Sequence, residues 1–374
     1  MIEPDSFDDG YYSGLGLQDK KDFDKLYKKK YKSIDEDRAR ESFEQSFDSN
    51  EEAEYRLFRD VVNAFSSPQA GFEATIVNPL YEFGEPEVEI LLAKPQSSSV
   101  HLCFISCEIS GQDYIRWQER INSVSELMDN QQIVETIKNN ANCSNLRLGS
   151  IQFVTLTQDI DIVDADVDIL KRGIDPEYYA IWKLIRSAEY NEETEEMEEA
   201  KTIKLHDGST SVPSLETIVS GGIDPTTAEN DDIKYCFSSH PVFPIGEVCL
   251  ELYLNKYNTS ENPKEFNRSE FESAYLNNVH FGDDRESMTT IAEDRVDDLL
   301  EFSLSHGIIK KDDDIVEQRD FKIMWSSEDP GDIKSMVQNK YIDSKVPERT
   351  GQIAYDRTKE EHEKGEASLD DFAN

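Results

Sequence analysis

The run Pro86-Glu87-Val88-Glu89-Ile90-Leu91-Leu92-Ala93 is followed by a polar turn, Lys94-Pro95-Gln96-Ser97-Ser98-Ser99. Next come Val100-His101-Leu102-Cys103-Phe104-Ile105-Ser106-Cys107-Glu108 and a helical pattern from Gln112 to Met128. Two apolar runs of strand length therefore flank a tight connection, and each carries a carboxylate at one end. A strand buried on both faces reads as a continuous apolar run, and acids are rare there unless they have a task. Two acids brought together at strand ends suit a divalent cation, because hard cations take carboxylate oxygens. Glu89 and Glu108 are the pair on which the functional reading hangs.

Outward from this stretch, Leu57, Val61 and Phe65 recur every four residues and predict a helix over 51–65, ended by Ser66-Ser67-Pro68. Phe72 to Val77 predicts a first strand, Glu87 to Ala93 a second and Val100 to Ile109 a third. Gln112 to Met128 and Gln131 to Lys138 predict helices, and Leu146 to Leu156 a fourth strand. Asp159 to Asp168 alternates Asp with Ile and Val and is read as an edge with solvent-facing acids. Asp175-Pro176-Glu177 is a helix start, with Tyr178, Tyr179, Ile181, Trp182, Leu184 and Ile185 on the helix that follows. Thr202 to Val212 predicts a small hairpin and Ser220 to Asp232 a linker, with a domain boundary near 200–235.

Beyond the linker the pattern changes. Val248 to Tyr257, a segment capped by Asn267-Arg268-Ser269-Glu270, and Arg285 to His306 predict three helices, the last closed by Gly307. Ile308 to Lys311 and Phe321 to Trp325 flank the charged tip Asp312-Asp313-Asp314. Three helices and a two-stranded ribbon resemble a winged helix, a module that binds DNA or pairs with proteins. The expected organisation is a charged arm over 1–50, an α/β domain over 51–200, hairpin and linker over 201–235, a mostly helical winged-helix-like domain over 236–344, and a disordered acidic tail over 345–374.

The 374 residues carry 39 Lys and Arg against 79 Asp and Glu, a formal charge of −40, with 37% hydrophobic content. The chain can build a core despite its charge. Acids spread throughout point either to a salt-rich cytosol that screens self-repulsion or to an ordinary acidic protein. Residues 20–32 hold seven lysines interleaved with Phe23, Leu26, Tyr27 and Tyr31, read either as a basic arm on phosphate or as a solvated helix face. Residues 1–30 lack the apolar core of a signal peptide, and no apolar run approaches the ~20 residues that span a bilayer. A cytoplasmic protein with no membrane partner is expected. Five cysteines without a C-x-x-C are expected as buried thiols. P-loop, dinucleotide and nucleophile-elbow motifs are absent, and the six histidines are scattered.

The order helix, three strands, helix, strand over about residues 50–156, with acids at those places, resembles the PD-(D/E)XK (restriction-endonuclease-like) nuclease superfamily. The resemblance implies an αβββαβ core and Mg²⁺ (or Mn²⁺) held by Glu54, Glu89 and Glu108, with Pro86-Glu87 as the other register for the second-strand acid. It implies catalytic roles for Glu89, Glu108 and Arg120, and nucleic-acid contacts from Arg116 and Arg120. The sequence departs from the family at the acid-x-Lys motif. Glu108-Ile109-Ser110 has Ser for Lys, and Ser106-Cys107-Glu108 lacks the leading acid. The implied function is Mg²⁺-dependent cleavage of DNA in defence or repair. The alternative is an inactive nuclease-fold protein that binds DNA or protein, and a third class is an acidic viral or structural factor. Leu369 and Phe372 resemble a degenerate sliding-clamp box, or a chance ending of an acidic tail. A homodimer is a further expected partner.

Overall fold

A computed structural model describes residues 1–66, 74–84, 88–109, 114–158, 172, 179–191, 196–225, 232–257, 262–279, 285–311, 321–324 and 329–370. It is mixed α/β. Short α1 (Tyr11–Gly14), α2 (Leu17–Tyr31) and α3 (Glu36–Phe47) come first, and the Asp35 side chain caps α3 by accepting from the N–H of Asp37. A π turn, Asp48–Glu52, joins α3 to α4 (Ala53–Ser66). Leu57, Phe58, Val61, Val62 and Phe65 are buried along one side of α4, as their spacing requires.

Six strands form one sheet in sequence order: β1 (Ala74–Val77), β2 (Ile90–Gln96), β3 (Ser99–Glu108), β4 (Arg147–Thr157), β5 (Tyr179–Asn191) and β6 (Glu196–Gly208). β1, β2 and β3 are an antiparallel meander. Gln96 pairs with Ser99, so Ser97 and Ser98 make the turn, with Ser97 at φ 56°. β4 runs parallel to β3 and β5 parallel to β4. A parallel neighbour needs a crossover; α5 (Tyr114–Met128) and α6 (Gln131–Asn140) supply it between β3 and β4.

Alternation assigns the two sheet faces. Leu91, Ala93, Leu102 and Phe104 pack with Trp117, Ile121 and Val124 of α5. Ile90, Leu92, Cys103, Ile105 and Cys107 pack toward α4 and the helices after residue 242. All five cysteines are buried thiols.

The segment Tyr179 to Ile185, expected as a helix, is β5. Tyr179 and Ile181 enter the α5-side core, and Ala180, Trp182 and Leu184 enter the other, so both faces are covered. Its expected start at Asp175 and the acidic run 159–168 lie outside the described residues. The expected small hairpin is instead the end of β6, which pairs along the whole length of β5. Gly208 closes that pairing at φ 96°, and a Cβ there would stand 2.2 Å from the Tyr179 carbonyl oxygen. Within the expected linker region α7 (Pro213–Gly221) packs Leu215 and Val219 into the core, and Ile223 bridges to Ile203.

The remaining order is α8 (Val242–Tyr257), β7 (Glu265–Phe266), α9 (Arg268–Leu276), α10 (Arg285–Ser305), β8 (Ile309–Lys311), β9 (Phe321–Ile323) and α11 (Ile333–Asp370). β7, β9 and β8 form a second antiparallel sheet in that order. Asn267 and Glu270 make the expected capping box, and Gly307 follows α10 at φ 64°. One hydrophobic cluster runs from the α4 face of the first sheet through Ile233, Tyr235 and Phe237 to Val248, Val296 and Tyr341. The expected disordered tail from 345 is instead helical to Asp370, through Pro347. A few anchors suffice: Ala354 and Tyr355 bury against Phe23 and Tyr27 of the expected charged arm. Among the described residues no helix is long and apolar enough to cross a membrane.

Candidate carboxylate site

β2 and β3 are antiparallel with Ile90 opposite Ile105, so the start of one adjoins the end of the other. Glu89 immediately precedes β2, and Glu108 is the last residue of β3. This register brings two acids nineteen positions apart into one neighbourhood. Glu89 is 4% exposed. Its Oε2 accepts the N–H of Cys107 at 2.9 Å. Its own carbonyl accepts the N–H of Asn78 at 2.8 Å, which fixes the backbone beneath the side chain. Burial pushes the Glu89 carboxyl well above the ordinary carboxylate range. The Cys107 N–H and Arg120 oppose that rise, whereas Glu108 and Glu54 add to it.

Arg120 lies on α5, is 8% exposed, and its guanidinium donates to a Glu108 carboxylate oxygen. In this arrangement it neutralises an acid and is turned away from solvent. The Arg116 side chain and the residues Glu87 and Ser110 lie outside the described residues. Phe372 does too, as does the side chain of Leu369.

Glu54 and Glu89 line a cavity of about 520 Å³. Glu51, from the π turn, lines the same side, and a π turn of this kind recurs at functional sites. The other side is made by Phe237 to His240 and by Arg295 of α10. Arg295 donates to the Ser239 carbonyl at 3.0 Å. Tyr55 in the wall stacks on Phe243 with centroids 4.1 Å apart. His240 packs against the rings of Phe47, Phe302 and Tyr341. Burial, with Arg295 nearby, pushes its pKa down to about 4, so it is neutral at neutral pH.

Sequence reading had named Glu54, Glu89, Glu108 and Arg120, and these sense one another's charge around Glu89. Glu51, Ser239 and Arg295 were not singled out by pattern, and His240 was only one of six scattered histidines, read as a surface or core residue. Cys236-Phe237-Ser238-Ser239-His240-Pro241 was the available signal, a polar turn before a helix.

Around the Glu89 carboxyl stand the carboxylates of Glu108 and Glu54, with Arg120 and the Cys107 N–H acting against them. Among the described residues, no three His, Cys, Asp or Glu side chains are gathered closely enough to form a ready cation cage. Compared with models of known protein families, with curated proteins and with solved structures, the chain matches none.

Proposed function

We propose that this chain is a metal-dependent nuclease with a restriction-endonuclease-like core, cutting DNA phosphodiester bonds, with a winged-helix-like module after it. The observation that carries the proposal is the register that sets Glu89 and Glu108 at adjoining ends of β2 and β3, within reach of each other's charge, with Glu89 and Glu54 lining one cavity and Glu108 held by Arg120 beside it. The α4-β1-β2-β3-α5-β4 order, with an antiparallel meander followed by a parallel strand, supports the core assignment. The order α8-β7-α9-α10-β8-β9 with its three-stranded sheet supports the winged-helix assignment.

Glu54, Glu89 and Glu108 would hold Mg²⁺ or Mn²⁺. Such an ion supplies charge neutralisation at a phosphate and lowers the pKa of a bound water. The Cys107 N–H holds one oxygen of Glu89 in place. Arg120 holds Glu108 and offsets its charge until a cation competes for it.

Purified protein at high KCl with Mg²⁺ or Mn²⁺ is expected to nick plasmid or cut single strands, and Glu89→Ala with Glu108→Ala to abolish cutting. The second reading, an inactive nuclease-fold protein that binds DNA or protein, is favoured by two features. Arg120 already neutralises Glu108, and Ser110 stands where the resemblance calls for Lys. No cleavage of any nucleic acid, together with no effect of Mg²⁺ on thermal stability, selects that second reading.

A further inference from the structure

The strongest local departure from the chain's charge lies on α2. Residues 17–32 carry seven lysines against three aspartates, whereas the whole chain stands at −40. The helix sorts these residues by face. Phe23 and Tyr27 are fully buried against Ala354 and Tyr355. On the opposite side Lys21, Lys25, Lys28 and Lys32 recur at spacings of four, three and four residues, all exposed, with exposed Lys29 beside them. None of these five forms an ion pair among the described residues.

The nearby acids are directed elsewhere. Asp24 accepts from the Tyr12 hydroxyl at 2.8 Å, and Asp22 from the Gln18 amide at 3.2 Å. Lys30, off the stripe, takes Glu361 of α11, whose charge Lys29 also senses. What remains is a row of cations about 17 Å long at 1.5 Å per residue, mounted on a helix whose other face is locked into a core. A row of that length spans about five phosphates at 3.4 Å of axis per strand.

We propose that this face of α2 is a docking surface for the phosphate backbone of nucleic acid, binding without base readout. The occupant is argued from charge complementarity. In a molecule this acidic a stripe without carboxylate partners is matched by a regular polyanion, and lysine meets phosphate as a point charge. The remaining acids do not forbid the contact, because at about 0.1 M salt charges beyond about 10 Å are screened. The surface goes beyond the carboxylate site and needs no cation there.

The test uses the full chain in EDTA, so that neither cleavage nor a metal contributes. Fluorescence anisotropy with a short labelled duplex and a labelled single strand is followed between about 0.1 and 0.3 M KCl. The combined variant Lys21→Gln, Lys25→Gln, Lys28→Gln, Lys32→Gln is expected to bind about 1,000-fold more weakly near 0.15 M and to flatten the log–log salt slope by about 4. The four Lys→Arg exchanges should restore binding. Lys204→Gln, exposed on β6 and outside both the carboxylate site and the winged-helix-like module, should leave it unchanged. Thermal melts check that the variants fold.

Absence of binding by the unaltered chain overturns the proposal, as does an equal loss from Lys204→Gln. Binding of α2 lysines to acidic phospholipid vesicles in preference to both DNA probes also overturns it.

Discussion

Replacing Glu89 with Gln keeps an oxygen to accept the Cys107 N–H and removes the carboxyl's ability to ionise. In the folded chain that carboxyl is enclosed, and burial first, then Glu108 and Glu54, hold its pKa well above the ordinary 4.5. The folded state therefore keeps a proton that the unfolded state releases. Stability from this group is fully present below pH 4.5 and is lost as pH climbs toward the folded value. Within that window the loss is about 1.4 kcal/mol for each pH unit. The Gln variant has no such loss. In EDTA at pH 8 it should be more stable than the unaltered chain, and near equal at pH 5. For a chain of this size each kcal/mol of that difference is at most a few degrees in melting temperature. Acids remote from Glu89 titrate identically in both proteins, so the difference between the two melting curves reports Glu89 and the Glu54 and Glu108 charges coupled to it. Mg²⁺ should reverse the ranking. A ligand at 100 times its Kd adds about 2.7 kcal/mol to the form that binds it, and only the unaltered chain should gain this. A difference that does not change between pH 5 and pH 8 would refute the raised carboxyl pKa. Equal Mg²⁺ stabilisation of both proteins would refute the cation role.

Arg120→Gln takes the guanidinium from Glu108 inside a mostly buried pair, at an expected cost of about 2–4 kcal/mol by denaturant unfolding in EDTA. The same variant should recover more of its stability in Mg²⁺ than the unaltered chain gains, because the competitor for Glu108 is gone. Gly208→Ala places a methyl against the Tyr179 carbonyl at a φ that disfavours any side chain. It should cost more than about 2 kcal/mol and lower the melting temperature without changing cation response.

The sheet's centre was legible because its physics is local. Ile90 to Ala93 and Val100 to Cys107 are near-continuous apolar runs, and only strands covered on both faces read that way. The capping box at Asn267 and the glycine after α10 were legible because each satisfies backbone groups within a few residues. β5 was misread for a physical reason. Apolar residues at 179, 181, 182, 184 and 185 fit a helical stripe as well as a two-faced strand, and the Asp-Pro-Glu before them is a helix-start signal. The segment after 345 was misread because its apolar content is low, yet Ala354 and Tyr355 sit where α2 offers an aromatic face. Of the candidate site, the acids at strand ends could be found from pattern. Arg295, His240 and Glu51 could not, since only tertiary packing carries α10, the turn before α8 and the π turn to one cavity.

The cover that α11 lays over α2 has a consequence for biosynthesis. Phe23 and Tyr27 leave the ribosome some three hundred residues before Ala354 and Tyr355. At 5–20 residues per second that interval is about 15–60 s. Throughout it an aromatic ridge flanked by lysines keeps only near neighbours such as Tyr11, Tyr12 and Tyr31, and its cover is complete only when the last helix is delivered.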